Sequence, residues 1–120
     1  MHAEYEKTQS PFTVSEASLA STSPDPEVRL LGEYWEIRLR IQTLSNLMAV
    51  SQDKRKRMGL APIPLMIEQI KGMKKYANAL AVRLEYTQGG LASEETVAKA
   101  REYLAASAPR KAEGEGGEDA

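Results

Sequence analysis

The lysine and arginine residues of this chain are grouped in a way that could bind an anion. Four consecutive cations occupy positions 54–57, and three lysines recur at positions 71, 74 and 75. That second spacing places the lysines on one helix face together with Asn78. Cations grouped in this way bind phosphate groups through charge and hydrogen bonds. The residues that we expect from this grouping to contact the phosphate groups of a nucleic acid are Lys54, Arg55, Lys56, Arg57, Lys71, Lys74 and Lys75.

The same cations have simpler explanations, which the sequence leaves open. The run at 54–57 stands where a helix is expected to end, and cations there interact favourably with the helix dipole. The lysines at 71, 74 and 75 are also compatible with an ordinary solvated helix face. Phosphate binding and plain surface charge are therefore both retained as interpretations.

Charge is unevenly distributed along the 120 residues. Residues 1–27 contain five acidic residues and one basic residue, and residues 112–120 contain four acidic residues and no basic one. Residues 28–111 contain fifteen Lys or Arg against eight Asp or Glu, a net charge of +7. A basic central segment favours an anionic partner, of which nucleic acid is the commonest.

Residues suited to catalysis are scarce. The chain has no cysteine, and its only histidine is His2, close to the amino end. Histidine-based acid–base catalysis and metal sites built from histidine or cysteine are therefore not expected. We predict that the protein is not an enzyme, with no catalytic residues, no metal and no other cofactor. Because the chain also has no cysteine framework and no long apolar stretch, we expect a cytoplasmic protein with no membrane partner.

Apolar spacing predicts the helices that position the cations. Asp25 is a good helix N-cap and Pro26 suits the first helical position. Apolar residues then recur at alternating intervals of four and three, a helical seam, at Leu30, Tyr34, Ile37, Ile41, Leu44 and Met48. Gly59 and Pro62 should end this helix near position 57. Residues 35–42 also alternate between apolar and polar, which is typical of a strand, and this alternative stays open.

A second helix is predicted from Pro64 to the glycine pair at 89 and 90. Its seam consists of Met66, Ile70, Met73, Ala77, Leu80 and Leu84. We interpret Gly72 within it as a site of close helix packing. Tyr76 is expected in the core, and Tyr86 is left open between core and base stacking. A third helix should run from Ser93 to about Ser107.

These elements predict an all-α fold. The expected architecture is a small helical bundle built on a long antiparallel helical hairpin, with a shorter third helix packed across it and disordered termini. Residues 1–24 are predicted to be a disordered tail, residues 25–108 the bundle, and residues 109–120 a disordered acidic tail, because neither end has an apolar period.

Two segments carry a resemblance to a known family. The string Ala81-Val82-Arg83-Leu84-Glu85-Tyr86-Thr87-Gln88-Gly89-Gly90 resembles the signature of the small helical subunit of type III-A CRISPR effector complexes, the Csm-type complexes. Glu36-Ile37-Arg38, followed by an apolar run, resembles the first helix of that subunit, and residues 93–104 resemble the helix after the signature. The similarity covers about residues 33–105.

This resemblance implies a noncatalytic subunit of an RNA-guided antiviral defence ribonucleoprotein. Such subunits stack along the guide RNA–target RNA duplex, beside larger CRISPR backbone subunits and neighbouring copies of themselves. They contact the target RNA backbone through basic side chains. Carried over to this sequence, the motif arginines Arg38 and Arg83 become further RNA-binding candidates.

Two other hypotheses come from different classes of protein. In one, the helical seams form a homo-oligomeric protein–protein adaptor or a small phage structural protein, and the cations serve only solubility. In the other, the chain is a helix-turn-helix DNA binder. The latter fits less well, because both main helices look too long and no short recognition helix follows a tight turn.

Overall fold

The computed structural model describes residues 9–89 and 93–119, with side chains up to residue 107. All regular secondary structure in these ranges is α-helical. The helices are α1 Val14–Ala20, α2 Pro26–Leu47, α3 Gln52–Met58, α4 Ile63–Gln88 and α5 Glu94–Asp119. The predicted all-α class is confirmed, and the strand alternative for residues 35–42 is wrong, because they lie in the middle of α2.

Helices α2 and α4 form the predicted antiparallel hairpin. The Asp25 carboxylate accepts a hydrogen bond from the Glu27 amide at 2.9 Å, which caps α2 where the sequence predicted. At this same end of the pair, the Gln88 side chain donates to the Glu27 carbonyl oxygen at 2.9 Å. The last turn of α4 therefore lies against the first turn of α2.

The core lies along the two predicted seams. Leu30, Tyr34 and Ile41 of α2 are buried, and the other members of that seam are partly buried against them. The buried members of the α4 seam are Met66, Ile70, Ala77, Leu80 and Leu84. Trp35 and Leu31 widen the α2 contribution and are almost completely buried. Helical periodicity alone therefore located most of the core.

Helix α1 lies within the segment that the sequence predicted as a disordered tail. Thr13 and Glu16 form a reciprocal capping box at its start, and Phe12, Ala17 and Ala20 are buried in the core. A helix of seven residues that buries two alanines leaves almost no apolar period to detect. The predicted boundary at residue 24 is therefore wrong for residues 9–24, while residues 1–8 lie outside the described ranges.

The first long helix is broken where the sequence predicted continuity. Helix α2 ends at Leu47, and a separate helix α3 begins after Ser51, whose hydroxyl accepts a hydrogen bond from the Lys54 amide at 3.3 Å. Gly59 ends α3 and Gly89 ends α4, both in the left-handed conformation, with φ of 69° and 81°. The glycine stops were therefore predicted correctly, and the serine start was missed.

Helix α5 extends further than predicted. Its backbone is helical to Asp119 rather than ending near Ser107, and residues 110–113 are strong helix formers. Polar contacts attach α5 to the amino-terminal half: Lys99 lies 2.6 Å from the Glu27 carboxylate, and the Tyr103 and Thr22 hydroxyl oxygens are 2.8 Å apart. The third helix thus packs across the hairpin mainly through α1 and the start of α2.

The Glu16 carboxylate makes folding stability depend on pH. It accepts a hydrogen bond from the Thr13 amide at 3.0 Å and pairs with Arg101 at 3.1 Å. The backbone hydrogen bond, with help from Arg101, lowers the pKa of Glu16 from its ordinary value of 4.5. A carboxylate with a lowered pKa stabilises the fold above its ordinary pKa, and this stability is lost as pH falls through the lowered value.

We therefore expect Glu16→Gln to weaken the fold at neutral pH and to flatten its loss of stability below about pH 4.5. The measurement is the urea midpoint of wild type and variant across the acid range, with exposed Glu102→Gln as the matched control. If E16Q loses stability with falling pH in the same way as the wild type does, the assignment of this pH dependence to Glu16 is contradicted.

Candidate anion-binding cleft

A cleft of about 250 Å³ lies between α2 and α4. Its lining comprises Arg38, Ile41, Gln42, Ser45, Lys74, Ala77 and Asn78. On α2 these residues follow the spacing i, i+3, i+4 and i+7, and on α4 the spacing i, i+3 and i+4. Each set forms one stripe along its helix, and the antiparallel hairpin turns the two stripes toward each other.

The Arg38 guanidinium is held against two buried aromatic rings. Its central carbon lies 5.5 Å from the Tyr34 ring centroid and 5.4 Å from the Trp35 ring centroid. These distances are within the range for cation–π attraction. An Arg38 N–H also donates to the Tyr34 hydroxyl oxygen. The charged end of Arg38 is therefore fixed at the edge of the cleft.

The chemistry of the lining suits an anion that also carries polar groups. Arg38 and Lys74 contribute positive charge from opposite helices, and no carboxylate is among the described lining residues. Gln42 and Asn78 contribute amides that both donate and accept hydrogen bonds, and Ile41 and Ala77 supply an apolar surface. A phosphate beside the two cations, with an adjoining polar ring near the amides, would match these groups.

A shallow groove continues from the cleft along the outer surface of α4. It shares Lys74 and Asn78 with the cleft, and it also contains Glu68, Lys71, Gly72 and Lys75. Lys71 forms a weak, exposed ion pair with Glu68, at 3.4 Å. The predicted lysine face is thus present, and only Lys74 also lines the cleft.

The four-cation run at 54–57 divides into two kinds of residue. Lys54, Lys56 and Arg57 are exposed on α3, and none of them lines the cleft. Arg55 is only 6% exposed, and its guanidinium donates to the Leu47 carbonyl oxygen at 3.0 Å and to the Ala61 carbonyl oxygen. We therefore leave Arg55 out of the candidate surface, because its hydrogen bonds link helices within the fold.

Arg83 and the two tyrosines of α4 lie elsewhere. Arg83 is exposed and does not line the cleft. Tyr76, expected in the core, is 50% exposed, and Tyr86 is 91% exposed. Partial burial, reinforced by the nearby Glu33 carboxylate, raises the pKa of Tyr76 above its ordinary value. The expectation of a core position for Tyr76 was wrong.

Sequence reasoning missed Gln42 and Ser45. Their spacing from Arg38, one and two helical turns further along α2, was a usable signal. It was not used because the predicted site was built on groups of cations, and neither Gln42 nor Ser45 belongs to one. Neutral amides and hydroxyls become site candidates only when a neighbouring helix is known to face them.

Among residues 9–89 and 93–119, no group of three histidine, cysteine, aspartate or glutamate residues is placed to hold a metal ion. Every helix in the described part of the chain is too short or too polar to cross a membrane.

Comparison with known proteins corrects the resemblance drawn from short strings. The Sequestin family matches residues 24–86, and nothing found points to a CRISPR subunit. The chain matches no curated protein and no solved structure. The resemblance to the Csm-type subunit was wrong because an arginine beside apolar residues, followed by a glycine stop, describes many amphipathic helices.

The partners inferred from that resemblance, the guide–target duplex and the CRISPR backbone subunits, lose their support with it. The family match begins just before α2 and ends within the last turn of α4, so it includes both stripes of the cleft. It also covers more than half of the 120 residues. The chain therefore belongs to the Sequestin family.

Proposed function

We propose that this protein is a noncatalytic binding protein that holds a phosphate-bearing nucleotide in the cleft between α2 and α4. The observation that supports the proposal most directly is the convergence of Arg38 and Lys74, from different helices, on one cleft whose described lining contains no carboxylate. Two cations on a rigid hairpin attract a phosphate group and hold it in a defined position.

The size and the neutral groups of the cleft favour a nucleotide over a bare anion. Its volume of about 250 Å³ exceeds what one phosphate fills, and it lies just below the range of about 300–1,000 Å³ typical of small-molecule pockets. Asn and Gln side chains pair well with the donor and acceptor edge of a nucleobase. Gln42 and Asn78 supply that pairing, and Ile41 and Ala77 supply apolar contact for a ring.

The side chains of the cleft are suited to binding a ligand and not to transforming it chemically. Among the lining residues that the structure describes, none is a histidine, a carboxylate or a cysteine, the usual general acids, bases and nucleophiles. The family name, Sequestin, is in keeping with a protein that sequesters what it binds. A cytoplasmic location, which the cysteine-free sequence favours, would give access to nucleotides.

Lys74→Ala tests the proposed function. We expect it to weaken nucleotide binding by roughly 10- to 100-fold, because one charge-assisted hydrogen bond contributes about 1.5–3 kcal/mol. The measurement is isothermal titration calorimetry with AMP, ADP and cyclic AMP. Lys56→Ala is the matched control, since it removes the same charge from an exposed position outside the cleft.

The outcomes separate the proposal from general electrostatics. Weaker binding by K74A with unchanged binding by K56A supports the cleft. Equal losses in both variants, or no binding of any of the three nucleotides to the wild type, would contradict it.

A second candidate function, binding of an RNA backbone, is favoured by the groove that extends the cleft past Lys71 and Lys75. A strand lying there would contact several cations in succession. If the groove binds an RNA backbone, the affinity for poly(U) should fall steeply as the salt concentration rises. That affinity would also fall by similar factors when Lys71, Lys74 or Lys75 is changed to alanine. RNA affinity indifferent to salt and to these changes would remove this candidate.

A further inference from the structure

We infer that Tyr34 is a positioning residue for the cleft, which acts by fixing the Arg38 guanidinium in place before a nucleotide binds. The inference rests on the proposed function, because it concerns the same cleft. Tyr34 itself does not line the cleft. Its contribution would pass through Arg38, with which it shares a hydrogen bond and a ring contact.

The packing around Tyr34 holds its hydroxyl group in a fixed position. The residue is 0% exposed, so its ring has no freedom to move toward solvent. The Trp35 ring stands nearly perpendicular to it, with centroids 4.8 Å apart and an interplanar angle of 74°. Such edge-to-face pairs are favourable and directional. The pair therefore forms a rigid platform beneath the guanidinium.

Arg38 spans the boundary between this buried platform and the open cleft. Tyr34 lies one helical turn before it on α2, so the hydrogen bond between them stays within one stable helix. A free arginine side chain samples many rotamers, and ordering it when a ligand binds costs conformational entropy. Because the two rings and the Tyr34 hydroxyl hold Arg38 beforehand, less entropy should be lost on binding.

The hydroxyl adds something that the ring alone does not provide. Either aromatic face attracts a cation but leaves it free to rotate in its own plane. A hydrogen bond from one guanidinium nitrogen to the Tyr34 oxygen removes that rotation. The plane of the Arg38 guanidinium then keeps one orientation, which is what recognition of a phosphate by two parallel hydrogen bonds requires.

Tyr34→Phe is the direct test, because it removes the hydroxyl and keeps the ring. We expect Y34F to weaken binding of AMP, ADP or cyclic AMP by roughly five- to tenfold, the effect of one oriented hydrogen bond. The matched control is Tyr103→Phe, which removes the hydroxyl partner of Thr22 in a different part of the bundle. Y103F should leave the affinity unchanged.

A double-mutant cycle with Arg38→Ala separates positioning from general support of the fold. If Tyr34 acts through Arg38, adding Y34F to R38A causes no further loss of affinity. A purely structural role would lower the affinity by a similar factor in both backgrounds, and that result would overturn the inference. The thermal midpoint of each variant, measured alongside, shows which variants are folded.

The remaining outcomes are also decisive. If the wild type binds none of the three nucleotides, the proposed function itself fails. If the wild type binds and Y34F binds equally well, only the inference about Tyr34 fails. Should Y34F not fold, Trp35→Phe tests the same platform from its other ring, and an unchanged affinity in that variant would count against preorganisation of Arg38.

Discussion

Gly32→Ala should destabilise this protein by about 3 kcal/mol, at the upper end of what overpacking costs. A Cβ atom at position 32 would lie 2.5 Å from the Ser21 amide nitrogen, 2.7 Å from the Ala20 carbonyl carbon and 2.9 Å from the Ala17 carbonyl oxygen. All three are backbone atoms at the end of α1, which cannot move aside as a flexible side chain can. Helix α1 would have to shift away from α2.

Gly72→Ala is the matched control and should have the opposite sign. Gly72 lies inside α4, and a Cβ atom there would meet nothing within 4 Å. Replacing glycine by alanine in an exposed helix interior adds about 1 kcal/mol of stability. Urea denaturation of the three proteins gives the comparison. Equal effects of G32A and G72A would show that α1 does not pack against α2 as described.

The two glycines show where sequence reasoning stopped. In the sequence both stand within helical apolar patterns, and close packing was assigned to Gly72, which faces open space. The difference depends on α1, whose seven residues carry too little apolar periodicity to be predicted. A contact between a predicted helix and an unpredicted one cannot be inferred from either segment alone.

The periodicity of the apolar residues was, by contrast, sufficient to predict the hairpin of α2 and α4. The seams of α2 and α4 each extend over several turns, so single exceptions did not obscure them. The glycine stops at 59 and 89 also followed from backbone chemistry alone. The break between α2 and α3 escaped because Ser51 is one of many serines in the chain, and a serine predicts a helix start only weakly.

The candidate cleft was predictable in part. Lys74 followed from the spacing of three lysines, whereas Arg38 was selected through a family resemblance that proved wrong. What joins them is the register of α2 against α4, which places their stripes face to face. Register depends on how side chains interlock across the hairpin, and a pattern of apolar positions does not specify it.

The cations at 54–57 look alike in sequence, but the folded structure places Arg55 in a different environment from the others. Its substitution gives the second large expected effect on stability. We expect Arg55→Ala to destabilise the protein by about 2–4 kcal/mol. The guanidinium bridges the Leu47 and Ala61 carbonyl oxygens and lies 3.1 Å from the Met66 sulfur. Its removal leaves two carbonyl oxygens without this donor and opens a cavity at the corner where α2, α3 and α4 meet.

The exposed neighbours of Arg55 provide the control. Lys56→Ala and Arg57→Ala remove the same charge from the same short helix, and surface changes of this kind stay within about 0.5 kcal/mol. Arg55→Lys should rescue little of the loss, because one ammonium group cannot reproduce the planar fork that spans two carbonyl oxygens. The measurement is again the urea midpoint, and comparable small losses for all three alanine variants would contradict a structural role for Arg55.

The same set of variants bears on function. If the cations at 54–57 acted together as a phosphate-binding run, R55A would weaken ligand binding as much as K56A or R57A does. If Arg55 instead links helices, R55A lowers stability while nucleotide binding by the folded fraction persists, because the cleft lies further along α2 and α4. Four consecutive cations would then comprise three surface charges and one internal hydrogen-bond donor, a division set by the face of α3 on which each residue lies.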